Sequence, residues 1–267
     1  MSDKQAKIVE LKNVYVNYGK FEALKNINLE IKKDENWVFL GANGSGKSTL
    51  IKLFSNDLYP NTSYDFKKLI FDKERWDISE LKKYFGIITN DLHYQFMEKS
   101  PNVKIEDIVL SGFYSALGVF KNHITTEKER QKADEVMEFL DILRIKSKKV
   151  CELSSGELRR SIIGRALVHS PKVFILDEPT DGLDIKAQNS FLITLRKLAK
   201  DYSIILITHN VEEIIPEITH VGLIYNNTIY KQGRKEDILT SKNLSEIFDI
   251  DIDLGFENNR YFIKRVN

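Results

Sequence analysis

Cysteine is almost absent from this sequence, with Cys151 the only one among 267 residues. A single cysteine excludes a disulfide within the chain and is typical of a reducing compartment. A lone cysteine more often packs as a small apolar residue than reacts. We therefore predict that Cys151 is buried or half-buried and has no catalytic role.

An excess of one charge is also missing. The 40 Lys and Arg residues are balanced by 39 Asp and Glu residues, which leaves a formal net charge of +1. Proteins that bind nucleic acid or anionic membranes through charge need a basic surplus. The balance therefore predicts no nucleic-acid partner.

Long apolar runs and a leader segment are missing as well. The longest apolar segments, such as residues 204–207, have the length of a strand, whereas a helix that crosses a bilayer needs about 20 apolar residues. Residues 1–7 are polar and unlike a signal peptide. We expect a cytoplasmic protein with no membrane span of its own.

What the sequence contains is an ordinary globular composition, with 42% hydrophobic residues, enough for a substantial core. No internal repeat, low-complexity tract or linker is apparent, so we expect residues 1–267 to form one α/β domain. Helical periodicity begins near residue 92 and is clearest at residues 129–143. This predicts a helical subdomain at about residues 92–165, inserted in the α/β core.

Two segments near the start of the chain alternate apolar and polar side chains. Residues 8–17 and 27–31 follow this pattern, which predicts half-buried antiparallel strands. Tyr18 lies between them. Its ring could stack on an adenine base, because an aromatic side chain covers a flat base at low entropic cost. A turn tyrosine packed on the sheet is the alternative, and the sequence leaves both open.

A glycine-rich stretch follows the apolar run at residues 37–40 and fits the P-loop pattern of Gly, four residues, then Gly-Lys-Ser. Glycines let the backbone turn its N–H groups around phosphate oxygens. Lys47 can reach the outer phosphates, and the Ser48 hydroxyl is placed to ligate Mg²⁺. The stretch predicts a nucleoside triphosphate site formed by Gly41, Asn43, Gly44, Ser45, Gly46, Lys47, Ser48 and Thr49.

Three further candidates follow predicted buried strands. Asp177 and Glu178 end the apolar run at residues 173–176, and His209 ends the run at 203–208. The carboxyl ends of parallel strands are where open α/β sheets bind ligands. One carboxylate can hold Mg²⁺, and its neighbour can orient the water that attacks the γ-phosphate. Taken alone, a histidine at this position is more often structural than a phosphate contact.

The order of the motifs resembles that of the nucleotide-binding subunit of ATP-binding-cassette (ABC) proteins, over nearly the whole chain. A P-loop alone would also fit GTPases, kinases and helicases. The motif that favours ABC proteins over these classes is Leu153-Ser-Ser-Gly-Glu157, which precedes a basic helix and is close to the family's signature sequence. The resemblance implies a P-loop ATPase fold with an antiparallel β subdomain and a helical signature subdomain. It also implies that two copies of the chain close over two ATP molecules.

The resemblance implies a role for each candidate residue. Ser154 and Gly156 would capture the γ-phosphate held by the opposite subunit, which is anion binding at a helix N-terminus. Glu178 would be the catalytic base and His209 the switch histidine. The cofactors would be ATP and Mg²⁺, with Ser48 and Asp177 at the metal and with Tyr18, Thr49 and Asp184 among the nucleotide contacts.

Two departures from the family pattern stand out. Ser155 and Glu157 replace the commoner Gly and Gln of the signature but leave Ser154 and Gly156 intact. Asn90 takes the position of a glutamine that ligates Mg²⁺ and faces the membrane partner. Because its side chain is one methylene shorter, we expect Asn90 to be a weak metal ligand, acting through water or not at all.

The segment at residues 108–120 looks most like importer ATPases of the molybdenum-transport-like branch and their iron-chelate relatives. Within it, residues 113–120 offer either a docking surface or internal packing. We therefore expect an ATPase that drives import beneath a separate membrane permease, at the inner face of the cell membrane. The alternative is a stand-alone ABC ATPase with a regulatory or clamp role. A nucleic-acid-binding ABC protein is disfavoured, because it would show a second cassette or a basic groove.

Overall fold

The computed structural model describes residues 6–114, 118 and 124–266. The chain divides into two compact units, one formed by residues 1–82 with 201–267 and the other by residues 83–200. The prediction of a single domain with a helical subdomain at residues 92–165 stays a prediction. Most of the possible docking segment at residues 113–120 lies outside the described residues.

Within the described residues the chain forms eleven strands. They are β1 (Lys7–Tyr18), β2 (Phe21–Lys32), β3 (Trp37–Leu40), β4 (Lys67–Ile70), β5 (Phe85–Ile88), β6 (Val173–Asp177), β7 (Ser203–Thr208), β8 (His220–Tyr225), β9 (Thr228–Arg234), β10 (Ile252–Glu257) and β11 (Arg260–Val266).

The same part of the chain forms nine α-helices and four short 3-10 helices. The α-helices are α1 (Lys47–Phe54), α2 (Ile78–Tyr84), α3 (Asn90–Lys99), α4 (Ile105–Leu110), α5 (Glu127–Phe139), α6 (Ser155–Leu167), α7 (Ile185–Leu198), α8 (Lys235–Ile238) and α9 (Ser241–Phe248). The 3-10 helices are Ser111–Tyr114, Leu143–Ile145, Val150–Glu152 and Val211–Glu213.

An antiparallel sheet of order β2-β1-β4 opens the first unit. The alternating pattern predicted this sheet, and residues 27–31 of β2 do alternate between buried and exposed, whereas residues 8–11 of β1 are all buried. Val9 pairs with Ile31 on one side and with Ile70 on the other, and all three side chains are buried. The predicted antiparallel strands are confirmed.

Strand β3 lies inside a second sheet of this unit, and β10 and β11 form a separate two-stranded sheet. Strand β3 pairs in parallel with β7 and with β8, and β9 continues the sheet antiparallel to β8. All four β3 side chains are buried, as expected of a parallel strand that is covered on both faces. Leu40 pairs with both Thr208 and Leu223. The residues that follow β3 and β7 therefore leave the sheet at the same edge.

The β8–β9 connection is a two-residue hairpin. Asn226 and Asn227 have φ values of 48° and 66°, and a type I′ turn requires positive φ at both positions. Asparagine tolerates this conformation better than most residues. The side-chain nitrogen of Asn227 donates to the backbone carbonyls of Glu22 and Ala23, both at 3.0 Å. The hairpin is thereby fastened to β2.

The second unit combines a parallel pair of strands, β5 and β6, with helices. The apolar face predicted at residues 129–143 is confirmed for the part on α5, where Ala133, Val136 and Met137 are buried. The helix ends at Phe139, and Leu143 lies in a separate 3-10 helix. A side chain at Gly164 on α6 would meet Val109 and Val136 at 3.0 and 3.5 Å. The small residue thus lets α4, α5 and α6 approach closely.

The prediction for Cys151 is wrong, because this side chain is exposed. It lies in the 3-10 helix at Val150–Glu152, where Val150 takes the buried position. The backbone N–H of Cys151 donates to the carbonyl of Pro101 at 2.9 Å. Only one residue of this turn faces the interior. That residue is Val150, and its neighbour Cys151 therefore lies at the surface.

Candidate nucleotide site

The P-loop connects β3 to α1, as the pattern of residue types predicted. Gly44 and Gly46 have φ values of 81° and 106°, which residues with a side chain rarely adopt. A Cβ on Gly46 would also lie 2.8 Å from the carbonyl oxygen of Ala23. The loop conformation therefore depends on glycine at these positions, and Gly46 further allows the close approach of β2.

Lys47 and Ser45 show that this loop fits a phosphate group. Lys47 is buried, and its Nζ donates to the carbonyls of Gly41 at 2.8 Å and Ala42 at 3.0 Å. The loop is thus wrapped around its own ammonium group. The Ser45 Oγ atom is buried without a hydrogen-bond partner among the described residues. Since a buried hydroxyl without a partner is costly, a phosphate oxygen is the type of group that would satisfy it.

Asn227 supports the P-loop from outside, a role that sequence reasoning missed. Its side chain holds Ala23, and the carbonyl of Ala23 faces Gly46. The backbone carbonyl of Asn227 also accepts from the N–H of Lys25 at 2.8 Å. An Asn-Asn pair is typical of a turn, but nothing local to it indicates which strand the turn contacts.

The remaining candidates of the first unit are His209 and Tyr18. His209 follows β7 and is exposed, at the sheet edge where Gly41 follows β3. The fold thus brings His209 and the P-loop to the same edge. Tyr18 ends β1 and is 45% exposed. That exposure suits a stacking ring better than a ring buried against the sheet, and the adenine contact stays a prediction.

Glu178 follows β6 in a strained conformation. Its φ is 46°, a left-handed backbone in a residue that is neither Gly nor Asn and that precedes Pro179. Such conformations cost about 1–3 kcal/mol and occur preferentially at functional sites. Asp177 and Glu178 are half-buried. Because this backbone conformation is unfavourable by itself, the surrounding structure has to hold the turn in its shape.

The signature helix α6 begins with a reciprocal capping box. Ser154 Oγ accepts from the N–H of Glu157 at 3.3 Å, and Glu157 Oε2 accepts from the N–H of Ser154 at 2.7 Å. Ser154 Oγ also donates to Glu157 Oε2 at 3.0 Å. This arrangement satisfies two backbone donors of the helix N-terminus. Because Gln can complete the same capping box, the replacement of Gln by Glu keeps the form of this turn.

The electrostatics of Glu157 follow from these contacts. Burial would raise the pKa of its carboxyl, but hydrogen bonds from Ser154 and the charge of Lys148, whose Nζ lies 3.4 Å away, lower it overall. Hydrogen bonds to the charged form favour ionisation. A carboxylate, and not a carboxylic acid, therefore stands next to the hydroxyl of Ser154 at neutral pH.

Gly156 and Asp184 also belong to helix N-termini. Gly156 is buried in the first turn of α6, and a Cβ there would meet the Cβ of Ala187 at an ordinary distance of 3.4 Å. Asp184 is the N-cap of α7, since its Oδ1 accepts from the N–H of Ala187 at 2.7 Å. The structure thus gives Asp184 a capping role; its predicted nucleotide contact stays a prediction.

Asn90 is the first residue of α3, and its neighbour is a residue that sequence reasoning missed. Nη2 of Arg159 donates to Asn90 Oδ1 at 2.7 Å. The same nitrogen donates to the backbone carbonyl of Asp181 at 2.7 Å. Arg159 is only 3% exposed. Little in the sequence indicates this role, because Arg159 is followed by Arg160 on a helix that is basic overall.

A strand, a glycine-rich loop wrapped around a lysine, and a helix define a P-loop nucleotide-binding protein. The model of the ABC transporter family matches residues 24–181. An uncharacterized ABC transporter ATP-binding protein of Lactococcus lactis is 30% identical over 263 residues, which are 97% of this chain and 99% of that protein. The chain therefore belongs to the ABC transporter family, as one of its ATP-hydrolysing cassettes, and the predicted fold class is confirmed.

Two further similarities are to proteins whose names state a more specific role. A zinc uptake system ATP-binding protein of Listeria monocytogenes is 29% identical over 86% of this chain and 87% of its own length. The structure of cbiO1 from Clostridium perfringens, part of the ABC transporter complex cbiONQ, has 26% identity and a TM-score of 0.75, over 90% of this chain and 94% of that one. Among the described residues, none of the helices combines the length and apolar character that a membrane crossing requires.

Proposed function

We propose that this chain is the ATP-hydrolysing subunit of an importer and that it drives a separate permease in the membrane. The main observation in favour of ATP binding is the P-loop. Lys47 Nζ donates to the carbonyls of Gly41 and Ala42, and the Ser45 hydroxyl is buried with no hydrogen-bond partner among the described residues. The import part is supported by the similarity to a zinc uptake ATPase. The similarity to a cassette from a multi-subunit transporter complex supports a permease.

Each candidate residue has a proposed part in hydrolysis. Lys47 holds the outer phosphates through charge-assisted hydrogen bonds. Ser48 and Asp177 are the ligands we assign to Mg²⁺, which usually binds one or two protein oxygens together with substrate phosphates. Glu178 orients and deprotonates the attacking water, since a carboxylate is a suitable base for this step. His209 contacts the γ-phosphate at the edge of the sheet.

The active form is a homodimer closed over two ATP molecules. The N-terminus of α6 supports this proposal, because Ser154 is exposed and an uncovered helix N-terminus attracts an anion. The exposed Ser154 and the small Gly156 would meet the γ-phosphate bound by the second copy. For such a contact the Ser154 hydroxyl, which donates to Glu157 Oε2 at 3.0 Å, would have to turn its hydrogen towards the phosphate.

Recovery of a membrane partner tests the transport part. The chain, carrying a small affinity tag, would be purified from detergent-solubilised membranes of its native cells. An integral membrane protein with several spans should be recovered in a fixed ratio to the cassette and should be absent from a mock purification without the tag. Purification that repeatedly yields the cassette alone, from membranes and from the soluble fraction, would contradict the importer proposal.

The second candidate function is a stand-alone ABC ATPase. One observation favours it: the oxygen of Asn90, at the position that faces the membrane partner in the resemblance, is bound to Arg159. We place the cassette at the inner face of the cell membrane under the first proposal and in the cytoplasm under the second. The fractionation experiment above separates them, because only the first predicts a stable membrane-bound pool.

A further inference from the structure

Arg159 is a buried cation that joins three parts of the unit formed by residues 83–200. It lies on the second turn of α6, and a single nitrogen, Nη2, contacts both Asn90 Oδ1 and the carbonyl of Asp181 at 2.7 Å. Asn90 begins α3, and Asp181 belongs to the turn after β6. The guanidinium therefore connects the start of α3, the signature helix and the turn that follows Glu178.

This contact decides which atom of the Asn90 amide faces the interior. Arginine has only hydrogen-bond donors, so the atom at 2.7 Å has to be the amide oxygen. The oxygen is also the only atom of this side chain that Mg²⁺ would accept as a ligand. A cation bound to that oxygen repels a second cation beside it. The geometry therefore argues against coordination of a metal by Asn90.

Arg159 has a histidine, His93, as a neighbour, and this histidine adds no second positive charge near pH 7. His93 lies one turn after Asn90 on α3, and its Nε2 atom is buried without a hydrogen-bond partner among the described residues. Burial, and then the nearby charge of Arg159, lower the pKa of His93 to about 4. The imidazole is thus neutral near pH 7 and adds no second cation at this place.

We propose that Arg159 is a positioning residue for ATP hydrolysis, which holds Asn90 and Asp181 in place so that no bound metal is needed to orient Asn90. Ser154 lies five residues before Arg159 on the same chain segment, and Glu178 lies three residues before Asp181. The guanidinium therefore fixes the turn that carries the candidate base relative to the helix that carries the signature serine. The proposal rests on the ATPase activity of the family and is independent of transport.

A double-mutant cycle without nucleotide tests the contact. Asn90→Ala, Arg159→Met and the double variant would be compared by thermal unfolding; methionine roughly preserves volume but removes every donor. Because the two side chains act as one unit, the double variant should unfold at about the temperature of Arg159→Met alone. Shifts of the unfolding temperature that add up would mean that the two residues act independently and would overturn the proposal.

Steady-state kinetics test the positioning role. Arg159→Met should lower kcat about tenfold and change the KM for ATP less than twofold, because Lys47, the proposed phosphate contact, lies on α1 in the other compact unit. Arg159→Lys, whose ammonium can reach one or both carbonyl-type acceptors, should restore part of kcat. The control is Arg130→Met, since Arg130 is exposed on α5. An unchanged kcat, or a loss that Arg159→Lys does not improve at all, would refute the role.

The inference that Asn90 does not ligate Mg²⁺ is tested by a binding measurement and not by ATP hydrolysis. The Mg²⁺ dependence of ATP binding would be measured by calorimetry at low temperature for the unaltered chain and for Asn90→Ala. We expect Mg²⁺ affinities that agree within twofold; a loss of tenfold or more would make Asn90 a metal ligand. The outcomes stay distinguishable, because absence of ATPase activity in the unaltered chain would contradict the family assignment, whereas active Arg159 variants would contradict only the positioning role.

Discussion

At the scale of single residues, two glycines of the candidate site have different physical reasons for being glycine. Gly46 is required by the fold itself, since its φ is 106° and a Cβ would overlap the β2 backbone. Gly156 has helical geometry in α6, and a Cβ there would make only an ordinary contact with Ala187. A requirement for glycine at position 156 would therefore come from a bound group and not from packing.

Gly156→Ala separates these two causes. Alanine is favoured over glycine within a helix by about 0.5–1 kcal/mol, so the variant should be at least as stable as the unaltered chain in urea unfolding. Phosphate release should nevertheless fall by tenfold or more, because the added methyl group stands where the phosphate of the second copy has to approach. Full activity in a stable Gly156→Ala protein would remove the signature turn from the proposed site.

The role of Lys47 is tested by its affinity for nucleotide. Lys47→Ala deletes a charged donor, and hydrogen bonds to charged groups are worth about 1.5–3 kcal/mol each, so ATP should bind at least tenfold more weakly in calorimetry. Lys52→Ala is the matched control, since Lys52 lies on the same helix and is exposed. Equal affinities in the two variants would contradict the P-loop assignment.

At the scale of secondary-structure elements, Asn36 connects the starts of three strands. It precedes β3, is 9% exposed, and its Oδ1 accepts from the N–H of Ile204 at 2.8 Å. Its Nδ2 donates to the carbonyl of Glu217 at 3.0 Å, and its N–H donates to Thr219 Oγ1 at 3.1 Å. One amide side chain thus satisfies backbone groups beside β7 and before β8.

Asn36→Ala should destabilise the protein by about 2–4 kcal/mol, because it removes the acceptor of the buried Ile204 N–H and a donor to the Glu217 carbonyl. Denaturant unfolding monitored by tryptophan fluorescence would measure this, since Trp37 lies next to the change. Asn102→Ala is the control, because Asn102 is exposed in a turn and its loss should cost under about 0.5 kcal/mol. Similar stabilities of the two variants would contradict this role of Asn36.

Glu10 gives the antiparallel sheet a pH-dependent ion cluster. Its carboxylate lies 2.9 Å from Lys67 Nζ and 3.0 Å from Lys7 Nζ. The hydrogen bond from Lys67 is the main reason that its pKa falls to about 2, and burial only partly opposes this. A lowered carboxyl pKa stabilises the folded state fully above the ordinary value of 4.5, and this contribution is lost as the pH falls towards 2.

Glu10→Gln should therefore lower stability by about 1 kcal/mol at pH 7, a modest value because the lysines are partly exposed to solvent. The difference from the unaltered chain should shrink progressively below pH 4.5. Melting temperatures at pH 7, 5 and 3.5 would show the trend, with Glu22→Gln, at an exposed pair on β2, as the control. A difference that stays constant down to pH 3.5 would contradict the assigned cause.

At the scale of the whole molecule, the proposed dimer depends on ATP that is bound but not hydrolysed. Glu178→Gln preserves the shape of the side chain and removes the proposed base, so ATP should bind and stay intact. Light scattering should then show a dimer with ATP and a monomer with ADP. The double variant that also carries Lys47→Ala is the control and should stay monomeric. A fully active, strictly monomeric Glu178→Gln protein would contradict both the base and the dimer.

Much of this protein could be predicted from the sequence, because the relevant signals are local. The P-loop pattern at residues 41–49 predicts a loop with a strand before it and a helix after it, alternation predicts β1 and β2, and the Asn226–Asn227 pair is typical of a hairpin turn. Each of these depends on backbone conformations that neighbouring residue types dictate. Cys151, by contrast, was predicted to be buried or half-buried and is exposed.

The contacts of buried polar side chains were decided only by the tertiary structure. Asn90 and Arg159 are 69 residues apart in the chain and 2.7 Å apart in space, and Asn36 and Glu217 are 181 residues apart. The sequence by itself determined the family, the nucleotide loop and the strands that carry the candidate carboxylates. Which partner satisfies a buried amide or guanidinium depends on how distant segments pack, since such groups have to find hydrogen bonds wherever the fold leaves them.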